Sequence, residues 1–134
     1  MSSKQEAGFL LELLDMFLGL AKSHGWWESE LHKGESLKEF QAKFPAGSEG
    51  WLHYRNMAYF WECVGVLTRN RLINQELIFN TFFITPDWEK AEKIVKDEQE
   101  QINPLLGENF EWLAKQKMAW VQKRLKGETK RSRN

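Results

Sequence analysis

The chain has 134 residues, of which 42% are hydrophobic and 28% are charged, as in ordinary globular domains and unlike disordered chains. Its 19 basic and 19 acidic residues cancel to a formal net charge of zero, so bulk charge does not draw the molecule to nucleic acid or to an anionic membrane. The length suits one domain, and the single cysteine, Cys63, excludes an internal disulfide and suits a reducing compartment.

The first predicted element contains the most apolar stretch of the chain, residues 9–21. Glu12 and Asp15 interrupt this stretch, and it is shorter than the roughly 20 apolar residues of a membrane-spanning helix. The spacing of its apolar side chains predicts a helix over about residues 5–23 that is largely enclosed, either by its own domain or by a partner. We expect residues 25–28 to end this helix. We also expect a cytoplasmic location and no contact with a membrane.

Two tryptophans, Trp26 and Trp27, lie in the polar stretch that follows the first helix. Partly exposed indole rings at this point can form an aromatic platform for a ligand or a partner. Packing between helices and loops is the simpler interpretation of the same pair. Further along, Ser36 and Glu39 have the spacing of a capping box, which predicts the start of a short helix that runs through Phe44.

The central predicted helix covers about residues 49–70 and carries apolar residues on almost its whole circumference. Such a pattern is typical of a helix in the core of a protein. We therefore expect the thiol of Cys63 to be buried and inert. Gly65 lies inside the same helix, where glycine is unfavourable, and this predicts a close approach by a neighbouring helix.

Glu62 is the main polar anomaly of the central helix. Arg55 and Arg69 lie seven residues before and after it, so the three side chains share one stripe of the helix, and Trp61 is adjacent to Glu62. A buried carboxylate needs a partner, and an arginine, an indole N–H or a tyrosine hydroxyl would serve. One interpretation is a structural tie of this kind, and the other is a binding group in a pocket between helices.

The second half of the chain has three helix signals. Asn74 can cap a short helix, and Thr85 is predicted to cap a longer one with Pro86 in its first turn and Asp87 near its positive end. Pro104 is expected to break the pattern before a last helix begins.

The last predicted helix covers about residues 107–126, and residues 127–134 form a basic tail that we expect to be disordered. No stretch alternates between apolar and polar residues as a half-buried strand does. The sequence therefore predicts an all-α fold: one domain over residues 1–126, built as a compact bundle of about five to six helices.

Recognised sites of catalysis or metal binding are not predicted. His24, His32 and His53 lack the spacing of a metal site and are expected at the surface. No serine lies in a glycine-flanked turn, and no glycine-rich loop of the kind that binds phosphate is present. We therefore predict no catalytic residue, no metal and no cofactor.

Several segments are similar to a known family. They are residues 60–67 (FWECVGVL), residues 71–79 (RLINQELIF), Trp88 and, more weakly, residues 103–110 (NPLLGENF). In these segments the chain resembles small helical proteins of bacteria and phages in the domain of unknown function 4760 family. The resemblance implies a helical fold and implies no activity.

Three functions from different classes remain open. The first is a non-enzymatic module that binds another protein, with a second copy of the chain as a candidate, because the first and central helices carry more apolar surface than a small bundle hides. The second is a ligand-binding protein or enzyme with a pocket around Glu62, Arg55 and Trp61. The third is a nucleic-acid-associated protein that uses its basic tail, but no groove-reading motif supports it and we do not expect it.

Overall fold

A computed structural model describes residues 2–133, and the side chains of residues 2–127. The described residues are 79% helical and contain no strand, so the predicted all-α class is confirmed. The predicted number of five to six helices is too low. The seven helices are α1 (Ser3–Gly19), α2 (Ala21–Glu30), α3 (Leu37–Lys43), α4 (Glu49–Arg69), α5 (Gln75–Thr81), α6 (Thr85–Gln101) and α7 (Glu108–Arg133).

The additional helix arises because the predicted first helix is two helices. The backbone leaves helical geometry at Leu20, with φ −96° and ψ 17°, and a new helix begins at Ala21. The prediction that residues 25–28 end the helix is wrong, since they lie inside α2. Trp27 in this segment is fully buried, and this packing outweighs the cost of about 1 kcal/mol that Gly25 imposes on a helix.

Helix α4 lies at the centre of the arrangement. It packs against α2 and α7, α6 packs against α7 and α3, and α1 contacts α2. Phe17 of α1 also contacts α4. The centre of its ring lies 5.6 Å from the ring centre of Phe60 and 5.9 Å from that of Trp61. The largest fully buried side chains are Trp27, Trp61, Phe79, Phe110, Leu31, Met57, Ile73, Ile78, Ile84, Ile94, Leu113 and Val64.

The prediction that α4 is a core helix holds for only part of its circumference. One side of the helix faces solvent, with Tyr59 61% exposed and with Leu52 and Val66 also exposed. Cys63 lies on this side and is exposed, contrary to the expectation of a buried thiol. The reason is that α2 and α7 cover other sides of α4 and no described helix covers this one. The solvent-facing side of α4 therefore carries several exposed apolar side chains.

The domain itself encloses helix α1 only in part, so the predicted alternative of enclosure by a partner stays a prediction. Leu13 is its only fully buried residue. Leu11 is 64% exposed, and Met16 and Leu18 are exposed as well. The helix begins at a capping box formed by Ser2 and Gln5, so its start is stabilised locally.

The start of α6 differs by one residue from its prediction. Ile84 is the N-cap and no side chain caps the helix, so Thr85 does not have its predicted capping role. Ile84 is fully buried, which fixes the chain at this point, and Pro86 is tolerated in the first turn because an N–H there has no helical partner. The capping box of Ser36 and Glu39 and the cap by Asn74 are confirmed.

Helix α7 continues to Arg133, beyond its predicted end near residue 126. The side chains of residues 128–134 lie outside the described part of the structure, so the disorder of the basic tail stays a prediction. Among residues 2–133, no helix combines the length and the apolar character that crossing a membrane requires.

Candidate functional site

A groove of about 530 Å³ lies where α4 meets α6 and the connection between α6 and α7. This volume falls in the range of small-molecule sites, and the groove is open to solvent. Its walls are mainly apolar and aromatic, with three charged residues among them. The lining residues are Trp51, Tyr54, Arg55, Ala58, Tyr59, Glu62, Val95, Glu98, Leu105, Leu106, Gly107 and Phe110.

Glu62 holds the first turn of α7 in place. Its Oε1 accepts hydrogen bonds from the backbone N of Asn109 at 3.1 Å and from Asn109 Nδ2 at 2.8 Å, and its Oε2 accepts one from the backbone N of Phe110 at 2.9 Å. The first N–H groups of a helix have no partner within the helix, and its positive end favours a carboxylate. Glu62 of α4 thus caps the start of α7. Its partners differ from the arginine, indole or tyrosine that the sequence predicts.

Gly65 makes this contact possible. A Cβ atom at this position would overlap the backbone carbonyl of Asn109. The predicted close approach of a neighbouring helix is therefore confirmed, and the neighbour is α7. The two features belong together, because Gly65 lies almost one turn after Glu62 and lets the start of α7 reach its carboxylate.

Arg55 lies between two aromatic rings at the edge of the groove. Its Cζ is 5.3 Å from the ring centre of Trp51 and 5.2 Å from that of Tyr59. These distances are typical of cation–π contacts. Among the described residues Arg55 forms no ion pair, so the predicted pairing with Glu62 is absent, although both side chains line the same groove.

Glu98 was not singled out by sequence reasoning, and it lies inside the groove. Its Oε1 accepts a hydrogen bond from Tyr54 Oη at 3.2 Å, and no described cation lies within ion-pairing distance. Burial raises the pKa of Glu98 above its ordinary value, and the hydrogen bond from Tyr54 offsets part of this shift. A signal existed in the sequence, since Ala91, Ile94 and Val95 place Glu98 on the buried side of α6.

The other predicted site residues lie outside the groove. Arg69 contacts the ring of Trp112 at 5.8 Å and Asn109 Oδ1 at 3.4 Å. Trp61 is buried and donates from Nε1 to a carboxylate of α6. Trp26 packs against Phe40 and Phe44, and the fully buried Trp27 is stacked on Tyr54 with 5.2 Å between ring centres. The two neighbouring tryptophans thus pack into the interior and form no exposed platform.

Asp87 is a buried carboxylate outside the groove, and the sequence did not predict its burial. Its Oδ2 accepts a hydrogen bond from Trp61 Nε1 at 3.0 Å and lies 3.0 Å from His24 Nε2. Its backbone oxygen accepts from Trp27 Nε1 at 3.1 Å. Burial raises the pKa of Asp87, and the charge of His24 and the bond from Trp61 offset part of the shift. These hydrogen bonds connect α2, α4 and α6 through Asp87, so we assign this residue a structural role.

The histidines are not all at the surface. His24 is half-buried between Glu28 and Asp87, and half-buried His53 lies 2.9 Å from Ser23 Oγ through Nδ1, whereas His32 is exposed. Among residues 2–127, no group of three or more His, Cys, Asp or Glu side chains is placed to hold a metal ion.

Comparison with known proteins gives the family. A family model described as "Domain of unknown function (DUF4760)" matches residues 15–120, most of the chain. The chain belongs to the DUF4760 family. The predicted resemblance is therefore confirmed. No curated protein and no solved structure matches the chain.

The DUF4760 match covers every residue that lines the groove, from Trp51 to Phe110. It also covers the contact of Glu62 and Gly65 with α7. The description of the family assigns it no activity, so membership alone does not give the function of this chain.

Proposed function

We propose that this DUF4760 protein is a non-enzymatic helical module that binds another protein, and that its partner is a second copy of the same chain. The proposed contact is the solvent-facing side of α4. We call it the α4 stripe and define it by Leu52, Asn56, Tyr59, Cys63, Val66 and Asn70.

The spacing of the α4 stripe supports the proposal. Its residues follow one another at alternating steps of four and three, the spacing with which one helix packs along another. Leu52, Tyr59 and Val66 occupy every second position and are exposed. This exposed apolar stripe on the central helix is the observation that carries the proposal, because a monomer gains nothing from leaving it in water.

The chemistry of the α4 stripe favours a copy of itself over an unrelated partner. The stripe contains no charged side chain, so a two-fold axis across it brings no like charges together at its centre. Its polar positions, Asn56 and Asn70, carry amides that can both donate and accept, so identical residues can pair across a symmetric contact. The exposed Leu11, Met16 and Leu18 of α1 offer further apolar surface.

Sedimentation of the purified protein over about 1–100 µM tests the proposal. We expect a concentration-dependent dimer, and we expect Tyr59→Lys to weaken dimerisation by about tenfold or more because it places a charge in the contact. Phe83→Lys is the matched control, since Phe83 is 84% exposed on the connection between α5 and α6, outside the α4 stripe. A wild-type protein that stays monomeric over the whole range contradicts the proposal.

We further propose that the protein works in the cytoplasm. The exposed thiol of Cys63 in the middle of the α4 stripe suits a reducing compartment, where it stays free. A fluorescent fusion imaged in cells, with fractionation into soluble and membrane material, checks the location.

A further inference from the structure

We propose that the groove between α4 and the α6–α7 connection binds a small amphipathic cation: a primary amine or amidine attached to an apolar body. The proposal is independent of the α4 stripe, although Tyr59 belongs to both surfaces. Three properties of the groove support it, namely its uncompensated carboxylate, its aromatic edge and its apolar walls.

The carboxylate of Glu98 is the expected partner of the cationic group. It is partly buried and its only described donor is the hydroxyl of Tyr54, a neutral group. A carboxylate withdrawn from water without a cation destabilises the fold. If the groove held no cationic ligand, an amide or an apolar side chain at this position would give a more stable fold. Its pKa is raised by this burial, which is the behaviour of a group whose charge is not yet balanced.

The charges of the lining residues add to the same conclusion. Glu62 and Glu98 contribute two carboxylates and Arg55 contributes one guanidinium, so the ionised groove carries one net negative charge. Glu62 already accepts three hydrogen bonds from Asn109 and Phe110, which leaves Glu98 as the carboxylate with free accepting capacity. A ligand with a single positive charge therefore completes the balance.

The edge of the groove is built to hold cations. The ring centres of Trp51 and Tyr59 already lie 5.3 and 5.2 Å from Cζ of Arg55. The two rings therefore already contact one cation. Other walls of the groove are apolar and include Ala58, Val95 and Leu106. An apolar body fits there, while its cationic end reaches Glu98.

The experiment uses two probes of the same shape and opposite charge, 4-phenylbutylamine and 4-phenylbutyrate. Each is titrated at pH 7 into the full chain labelled with ¹⁵N, and amide shifts are followed. We expect the amine to bind saturably with a dissociation constant on the order of 1 mM or below, with shifts at the groove residues of α4 and of the α6–α7 connection. We expect the carboxylate probe to bind at least about tenfold more weakly.

Three variants separate the proposal from simple apolar adsorption. Glu98→Gln is expected to weaken binding of the amine by about tenfold, and Ala58→Trp is expected to abolish it by filling the groove. Glu100→Gln is the matched control, because Glu100 is an exposed carboxylate on the same helix outside the groove, and binding should be unchanged. Equal binding of both probes, or full affinity in Glu98→Gln with its fold intact by circular dichroism, overturns the proposal.

Discussion

Glu98 and its neighbour Asp97 respond to opposite surroundings on α6. Hydrogen bonds from Lys93 and from the backbone N–H of Leu37 hold the pKa of Asp97 below its ordinary value of 3.8. Burial raises the pKa of Glu98 above its ordinary value of 4.5. Asp97 therefore contributes to stability when it is ionised, whereas ionised Glu98 opposes folding.

Replacing Glu98 by glutamine is expected to stabilise the protein at pH 7. Because the folded state has the higher pKa, folding favours the protonated form of Glu98. The stability that this protonated form contributes is complete below pH 4.5 and is lost as the pH rises through the folded-state pKa. Glutamine loses nothing over this range and can still accept from Tyr54. Urea unfolding at several pH values should give Glu98→Gln a larger free energy of unfolding than the wild type at pH 7 and an equal one near pH 4. A variant that is less stable at pH 7 would show that the charge of Glu98 is already balanced.

Gly65 is predicted to tolerate no side chain. Gly65→Ala forces a methyl group into the backbone carbonyl of Asn109 and disturbs the contact with Glu62, and we expect a loss of about 1–3 kcal/mol in the free energy of unfolding. Gly8→Ala is the control, since a Cβ at Gly8 meets nothing within 4 Å and the change should add about 0.5–1 kcal/mol. Urea unfolding of both variants checks the pair. Equal effects of the two substitutions would refute the close packing of α4 and α7.

At the level of elements, α1 is expected to open before the rest of the protein. Leu13 is its only fully buried residue, whereas α4 has eight buried residues along its length. Local stability follows buried contacts, so the amides of α1 should exchange with solvent by local opening. Native-state hydrogen exchange should give α1 a lower opening free energy than α4. Equal protection of both helices would mean that α1 unfolds only with the whole domain.

Most elements could be predicted from the sequence, because caps and breaks are local signals. Ser36, Asn74 and Pro104 mark boundaries that the structure has. The division at Leu20 was missed although Gly19 directly precedes it, because the apolar spacing of residues 9–21 continues across the break. The prediction that Cys63 is buried was wrong for a related reason. The pattern of α4 shows that a side of the helix is apolar, and it does not show whether a neighbouring helix covers that side.

The candidate site was predicted only in part. Glu62 and Arg55 do line one groove, as the sequence suggested, but the groove also depends on Tyr54 and Glu98. The partner of Glu62 lies 47 residues away at Asn109, and a contact over this separation is set by tertiary packing that no local pattern contains. Glu98 could have been found from its position on the buried side of α6.

At the scale of the whole molecule, the fold leaves its central helix open on one apolar side. The buried residues of α4 face α2 and α7, and the α4 stripe faces solvent. This arrangement is stable in a dimer that covers the stripe and leaves apolar surface in water in a monomer. We therefore propose that two copies of the chain meet along α4.

A spin label on Cys63 tests this claim most directly, because Cys63 is the only cysteine of the chain and lies in the middle of the α4 stripe. Helices in contact lie about 8–10 Å apart, so pulsed electron resonance on the labelled protein should give one short distance between labels, of about 10–25 Å, and Tyr59→Lys should remove it. Labels that show no dipolar coupling at about 100 µM protein, or the same coupling in Tyr59→Lys, would contradict self-association through the α4 stripe.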